Sequence, residues 1–177
     1  MTDDIDWNHE LRAQIEWHWE HQLRPRLAGL TDEEYFWSPV PGAWTVRPDG
    51  SVDFAYPQPE PAPFTTIAWR LAHVIVGVLA IRNATHFGAP AASYQDWVYA
   101  PTAKKALDQL ETQLDVWLTG VRGFGEDDLR VPVGDKEPYP DLPMAALVLH
   151  IHRELIHHLS EVSLLRDLYG HTVEEKR

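Results

Sequence analysis

The stretch that decides the fold is LVLHIHRELIHHLSEVSLLRDLY, residues 147–169, which predicts one long amphipathic helix. At about 100° per residue, six of its side chains fall within an arc of roughly 80°. These six form a stripe that is expected to face the core: Leu147, Ile151, Glu154, His158, Val162 and Leu165. The middle of this apolar stripe holds a carboxylate and an imidazole one turn apart. Because an unpaired carboxylate is costly to remove from water, the pair indicates a compensating partner such as a metal cation.

Three further helices are predicted upstream from the spacing of the apolar residues, in the ranges 6–27, 63–87 and 102–122. Pro25 is expected to kink or end the first of them, and Pro63 to open the second. The closing helix is expected to begin near Asp141, with Pro143 in its first turn. Four long helices with almost no strand pattern favour an all-α fold, a four-helix bundle.

A proline-rich segment, residues 38–63, separates the first and second long helices. A loop of this length in a compact domain is usually functional or disordered. Trp44, Phe54 and Tyr56 lie within it and are poorly suited to a solvated tail, so we expect an ordered flap packed on the bundle. We predict that Trp44 contacts the substrate and that the flap helps to close the mouth of the pocket.

Length and charge limit the classes of function. The 177 residues suffice for one core, so residues 1–177 are expected to form a single domain. The formal net charge of −12 argues against a nucleic acid or an anionic membrane as partner, since no basic face is present. The acidic N-terminus shows no signal peptide, and the longest apolar run, residues 74–81, is too short to span a bilayer. These features predict a cytoplasmic protein.

Cysteine is absent from the chain. Disulfides, a cysteine nucleophile and cysteine metal ligands are therefore excluded, and any thiol chemistry requires a small-molecule cosubstrate.

The candidate metal ligands are His73, near the middle of the second predicted helix, and the pair Glu154 and His158 in the last. Helices of similar length packed side by side bring these three to a similar level. Two imidazoles and one carboxylate leave coordination positions open, as catalytic metal sites do. A lone core-facing histidine is more often a hydrogen-bonded core residue, but the Glu154 and His158 pair favours a metal or catalytic role.

Other polar residues near these helices have weaker assignments. His18 interrupts an apolar stripe of the first helix. A hydrogen-bonded structural role is the commoner one for such a residue, and a catalytic proton shuttle in the pocket is its functional alternative. His150 and Glu161 flank the stripe and are expected to orient a ligand imidazole. His152 is expected to face away, exposed or at an interface, and His157 has no assigned role.

The chain resembles the DinB/YfiT-like superfamily of metalloenzymes over nearly its whole length. The resemblance lies in WHWEHQLRPRLAGLTDEEYFW, GAWTVRP, PFTTIAWRLAHV, HFG and the closing helix. It implies a four-helix bundle with a metal held by one histidine of the second helix and an H-x-x-x-H pair of the last. The matching positions are His73, Glu154 and His158, with Glu154 in place of the first histidine of the pair.

The E-x-x-x-H variant is similar to the N-terminal domain of mycothiol-dependent maleylpyruvate isomerases, in which the ion is zinc. The resemblance thus implies a divalent metal, zinc first and nickel or iron as alternatives. It also implies activation of a small thiol, such as mycothiol or bacillithiol, for transfer to a small electrophile. Those isomerases carry a further C-terminal domain, so the resemblance predicts the metal chemistry rather than the isomerase reaction.

Other functions use the same residues. A metal hydroxide could hydrolyse a substrate, and Fe(II) in a site of two histidines and one carboxylate could run oxygen chemistry. A non-catalytic stress protein that binds a metal or a ligand is the alternative outside enzymes. A homodimer is also expected, because Leu149 and Ile156 lie opposite the site and family members of this kind commonly pair.

Overall fold

The computed structural model describes residues 5–174, and within this range the regular elements are helices, with isolated β-bridges but no β-strand. The predicted all-α fold is confirmed. The elements are α1 (Trp7–His18, continued by the π-helical Trp19–Leu23 and by Arg24–Leu27), α2 (Asp32–Phe36), α3 (Ile67–Ala72, continued by the π-helical His73–Ala80 and by Ile81–His86), α4 (Ala103–Arg122), α5 (Glu126–Arg130) and α6 (Met144–Glu174). Residues 1–4 and 175–177 of the predicted domain lie outside the described range.

The four long helices of the described chain form a ring in which α1 and α3 each pack against both α4 and α6. Their inner faces meet in one apolar cluster, to which each helix contributes a fully buried side chain, for example Ile15, Ile75, Leu110 and Ile151. The stripe predicted for α6 faces this cluster. Its four apolar members are buried, so the two polar members between them lie at the level of the core.

The helix α3 begins at Ile67, four residues later than the sequence predicts. The backbone of residues 64–66 is extended because it pairs with Trp44, whose N–H donates to Phe64 O and whose carbonyl accepts from Thr66 N. Thr66 then caps the helix by accepting a hydrogen bond from Trp69 N. Proline at position 63 is thus part of the flap rather than the first turn.

The helix α6 likewise begins later than expected, at Met144. Pro143 forms an isolated antiparallel bridge with Pro132, and Met144 N donates to Val131 O. This pairing holds Pro143 outside the helix, and Asp141 lies in a turn in which Leu142 N donates to Tyr139 O, so the predicted cap at Asp141 is wrong.

Pro25 does not end α1, which continues to Leu27. A proline inside an α-helix clashes with the carbonyl four residues earlier and lacks the N–H that would bond to it. Here the preceding turn, Trp19–Leu23, is π-helical, and this wider turn accommodates the ring. The helix stops just afterwards, and Gly29 has the positive φ of 72° expected of a residue after a helix end.

Residues 67–86 form a helix that is long and apolar enough to cross a membrane by length and composition alone, with a mean hydropathy of 1.3. In the bundle, however, 61% of this window is buried inside the protein. Such burial is typical of a core helix. Location in the cytoplasm stays a prediction.

His152 is buried, which corrects the expectation that it faces solvent or an interface. Its Nε2 accepts a hydrogen bond of 3.1 Å from Trp117 Nε1, and its ring also bonds the backbone of Leu11. Burial lowers the pKa of His152 to about 4, although the bond with Leu11 acts in the opposite direction. The side chain therefore joins α6 to α4 and α1 as a neutral imidazole.

Candidate metal centre

The three predicted ligands lie side by side where α3 meets α6. His73 is the first residue of the π-helical part of α3, and its ring centroid is 4.7 Å from that of His158, with the rings nearly perpendicular. Glu154 is one turn before His158 on α6, and its Oε2 is 3.4 Å from His158 Nε2. The structure brings together the side chains that the sequence singles out, while their metal-binding role stays a prediction.

The hydrogen bonds of His158 fix which of its nitrogens carries the proton. Its Nδ1 lies 2.8 Å from Glu161 Oε2, and Arg70 Nη1 holds the same carboxylate oxygen at 3.0 Å. A carboxylate only accepts, so the proton is on Nδ1 and, in the neutral ring, the Nε2 lone pair faces Glu154 Oε2. Two lone pairs at this distance repel each other unless a proton or a metal cation lies between them. The geometry therefore calls for a positive charge at this point.

His73 is held by an aromatic enclosure. Its Nδ1 is 2.8 Å from the Tyr94 hydroxyl, and its ring stacks on Trp69 at 5.5 Å between centroids. Gly77, one turn further along α3, leaves the room that the hydroxyl occupies, because a Cβ there would collide with it. Burial lowers the pKa of His73 to about 4, with His158 and Arg70 acting in the same direction. His73 is thus a neutral imidazole at pH 7, the form that binds metals.

Glu154 is the anionic member of the group. Burial raises the pKa of Glu154, but Arg153 at 3.3 Å, His150 at 3.6 Å and His158 outweigh that effect and hold the pKa below its ordinary value. Arg166, which could have paired with Glu154 in a structural role, instead bonds Glu34. Glu154 is therefore a carboxylate at neutral pH, available to a cation.

A second group of potential ligands overlaps the first. One ligand atom each from His157, His158 and Glu161 lies within 4.8 Å of the others. However, the Arg70 guanidinium contacts Glu161 at 3.0 Å and His158 Nδ1 at 3.4 Å, so a cation already neutralises this side. His157 is also exposed. On the other side, Glu154 is also contacted by an arginine, Arg153 at 3.3 Å, but that side chain is mostly exposed and touches Oε1, which leaves Oε2 towards His158.

The flap reaches the candidate site through other aromatic rings. Trp44 lies 5.9 Å from Trp69, the ring that stacks on His73, and Phe54 stacks on Tyr94 at 5.4 Å. The flap is further tied to α3 by a bond of 2.7 Å from Trp69 Nε1 to the backbone carbonyl of residue 53. Tyr56, by contrast, is 91% exposed and takes no part in this enclosure.

Three residues beside the candidate ligands were not assigned a role from the sequence: Trp69, Arg70 and Tyr94. Trp69 lies one turn before His73 on the same helix face, so helical spacing was a usable signal for it. Tyr94 comes from the loop between α3 and α4, where no periodicity exists to place a side chain.

The structure places His18 at the end of the regular α-helical part of α1. Its Nε2 is buried and has no hydrogen-bond partner among the described residues. This differs from the hydrogen-bonded core role that is commoner for such a histidine. Its catalytic role stays a prediction.

Comparison with known proteins supports the same conclusion as the geometry. The family model of the DinB superfamily matches residues 14–162, most of the chain, and this range includes all three candidate ligands. No curated protein and no solved structure matches the sequence. The family match and the overlapping group of His157, His158 and Glu161 fit a metal-binding protein. On the strength of that match, the chain belongs to the DinB superfamily.

Proposed function

We propose that this protein is a metal-dependent enzyme in which His73, Glu154 and His158 hold a divalent ion, with zinc as the leading candidate. The observation that carries the proposal is the 3.4 Å between His158 Nε2 and Glu154 Oε2. Two ligand atoms bonded at about 2.1 Å to one tetrahedral ion lie roughly 3.4 Å apart. The same separation is too long for a good hydrogen bond with a protonated ring.

The side chains around the ligands orient them for such an ion. Glu161 accepts from His158 Nδ1, and the Tyr94 hydroxyl contacts His73 Nδ1, so each ring presents its Nε2. Groups of this kind fix the tautomer and raise the basicity of metal-bound histidines. Three protein ligands leave at least one position open, which is the arrangement of a catalytic rather than a structural zinc site.

The proposed reaction joins a low-molecular-weight thiol, mycothiol-like, to a small electrophile. A divalent ion held by these residues would supply Lewis-acid chemistry, lowering the pKa of a bound thiol so that the sulfur would be nucleophilic at neutral pH. The thiol must come from a cosubstrate because the chain has no cysteine. In the transfer, the S–H bond breaks and the sulfur forms a bond to the electrophilic carbon, while the bond from that carbon to its leaving group breaks and the leaving group takes the electron pair. We assign the released proton to His18 Nε2, which is buried without a partner.

The test combines metal analysis with a thiol assay on untagged protein, since a histidine tag would itself bind metal. We expect one zinc per chain and zinc-dependent loss of mycothiol, bacillithiol or glutathione in the presence of electrophiles. His157→Gln is the matched control, because it removes an imidazole of the overlapping group but none of the proposed ligands.

Three results contradict the proposal in different ways. Zinc lost from His157→Gln but retained in Glu154→Gln would move the metal to the overlapping group. Zinc-dependent hydrolysis of esters without any thiol would indicate the metal-hydroxide alternative. Zinc binding with neither activity would indicate a non-catalytic metal-binding protein.

A further inference from the structure

A cavity of about 520 Å³ lies between α3, the loop of residues 131–143 and the first half of α6. Most of its wall is apolar and includes Val133, Leu142 and Leu147. Its charged and polar lining comes chiefly from Arg82 of α3, Glu137 of the loop and Arg153 of α6. A volume of this size is suited to a small organic molecule.

The cavity adjoins the candidate metal centre. Two of its lining residues, His150 and Arg153, contact the Glu154 carboxylate at 3.6 and 3.3 Å. On the opposite wall, Arg82 Nη1 donates a hydrogen bond of 2.6 Å to Gly77 O. Gly77 lies one turn after His73 on α3, next to the Tyr94 hydroxyl. A molecule in the cavity would therefore have one end near Glu154.

The charge of the cavity is opposite to that of the chain. The chain carries a formal charge of −12, whereas the cavity is lined by two arginines and a single carboxylate. That carboxylate, Glu137, is buried and already occupied by His86 Nε2 at 3.0 Å and Arg82 Nη2 at 3.4 Å. Arg82 Nε is buried without a hydrogen-bond partner in the described structure. Arg153, which is mostly exposed, has no acidic partner other than Glu154 within the described chain.

Arg153 keeps donors for a bound anion. Its Nη2 contacts His150 Nδ1 at 2.6 Å and Glu154 Oε1 at 3.3 Å, and among the described residues no partner is seen for its other N–H groups. Arginine forks match the geometry of carboxylates and phosphates, so this side chain is suited to an anionic group. The apolar wall favours an organic acid over a bare inorganic anion.

We propose that this cavity binds a small acid with an apolar body, whose carboxylate is held by Arg82 and Arg153. The inference rests on the proposed function in one respect, because it identifies this acid as the class of electrophilic substrate that receives the thiol. The binding itself requires no turnover and can be measured alone.

The test compares benzoate with benzamide, its neutral counterpart of similar shape, by calorimetry on untagged, zinc-loaded protein. We expect saturable benzoate binding at millimolar concentrations and at least about tenfold weaker binding of benzamide, since bonds to charged groups are the strong ones. Inorganic phosphate at the same concentration should compete poorly. Arg153→Gln should weaken benzoate binding about tenfold or more. Arg82→Lys, which keeps the charge but loses the fork, should weaken it as well.

Arg130→Gln is the matched control, because Arg130 is as exposed as Arg153 but lies outside the cavity, paired with Glu126 and Asp127. Equal affinity for benzoate and benzamide, no benzoate binding, or unchanged binding in Arg153→Gln would each overturn the proposal. Benzoate binding that is lost in Glu154→Gln but kept in both arginine variants would also overturn the proposal. The benzoate carboxylate would then be a ligand of the zinc ion alone. Zinc titrations of the same variants separate the two claims, since an intact zinc site without benzoate binding leaves the proposed function standing. Thermal melts confirm that Arg82→Lys is folded.

Discussion

At the scale of single residues, the interpretation of the site depends on the hydrogen bond between His158 Nδ1 and Glu161. This bond directs the other nitrogen of His158 towards the Glu154 carboxylate, and His73, whose pKa burial lowers to about 4, adds a neutral imidazole. The arrangement favours a positive charge, a proton or a metal cation, between His158 Nε2 and Glu154 Oε2. The metal is therefore expected to contribute to stability as well as to chemistry.

Glu154→Gln tests this contribution. The change is nearly isosteric but removes the charge, so zinc binding should weaken by more than the 10–100-fold or so expected for loss of an outer hydrogen-bond partner. Zinc at about a hundred times its dissociation constant should stabilise the wild type by about 2.7 kcal/mol, and this gain should vanish in the variant. Metal-free Glu154→Gln should be no less stable than the metal-free wild type. Thermal melts with chelator and with added zinc provide the measurement.

The alternative is a Glu154 that serves only in ion pairs with Arg153 and His150. In that case Glu154→Gln would be destabilised equally with and without zinc. An unchanged wild-type melt after confirmed removal of metal would also rule out the metal role of Glu154. Glu111→Gln, at a surface ion pair with Arg24, controls for the loss of one negative charge.

At the scale of the elements, α3 and α6 show how far the sequence could be interpreted. Helical period alone identified the stripe of α6 and its two polar members. It missed the burial of His152 because α6 packs against α1 as well as α3. The buried arc therefore continues beyond the stripe, through Leu155 and Leu159, to His152. A single chain's periodicity does not reveal how many neighbours a helix has.

The start of α3 and the position of Tyr94 could not be predicted from local sequence patterns either. Both depend on partners distant in sequence, the Trp44 backbone for the helix start and His73 for the tyrosine. Proline at position 63 and threonine at position 66 are both acceptable helix openings by local rules. Only the pairing of the flap decides between them.

Gly77→Ala tests the π-helical part of α3. The added methyl group would collide with the Tyr94 ring and approach His73 Nδ1, so Tyr94 must move away from His73. We expect zinc affinity to fall about 10–100-fold, and Tyr94→Phe, which removes the hydroxyl without the collision, to cause a similar fall.

Gly170→Ala in α6 is the control, because its Cβ would point into open space. That change should stabilise the helix by roughly 0.5–1 kcal/mol and leave zinc binding unaltered. If Gly77→Ala binds zinc as tightly as the wild type, Tyr94 does not orient His73 for the metal.

Trp117→Phe tests the junction of α1, α4 and α6. Without the indole N–H, the buried Nε2 of His152 loses its donor, which should cost about 1–3 kcal/mol in the free energy of unfolding, measured in urea. The double variant Trp117→Phe/His152→Leu should lose less than the sum of the two single changes, because no buried nitrogen is left unsatisfied. Strict additivity would show that the bond contributes nothing.

At the scale of the whole molecule, we predict a homodimer formed through the outer face of α6. Leu149 is 56% and Ile156 38% exposed, and helical spacing puts both on the side of α6 opposite Glu154 and His158. Small-angle scattering at tens of micromolar should show a dimer for the wild type and a monomer for Leu149→Glu/Ile156→Glu. Val98→Glu, at an exposed apolar residue of the loop before α4, should remain dimeric. A monomeric wild type rejects the prediction.

The most direct test of the account is an anomalous difference map at the zinc edge, from crystals of untagged protein grown with zinc. We predict one strong peak between His73, Glu154 and His158, within about 2.0–2.2 Å of His73 Nε2, His158 Nε2 and a Glu154 oxygen. A peak between His157, His158 and Glu161 instead, or no peak in this region of the bundle, would contradict the central claim that α3 and α6 together hold a catalytic metal.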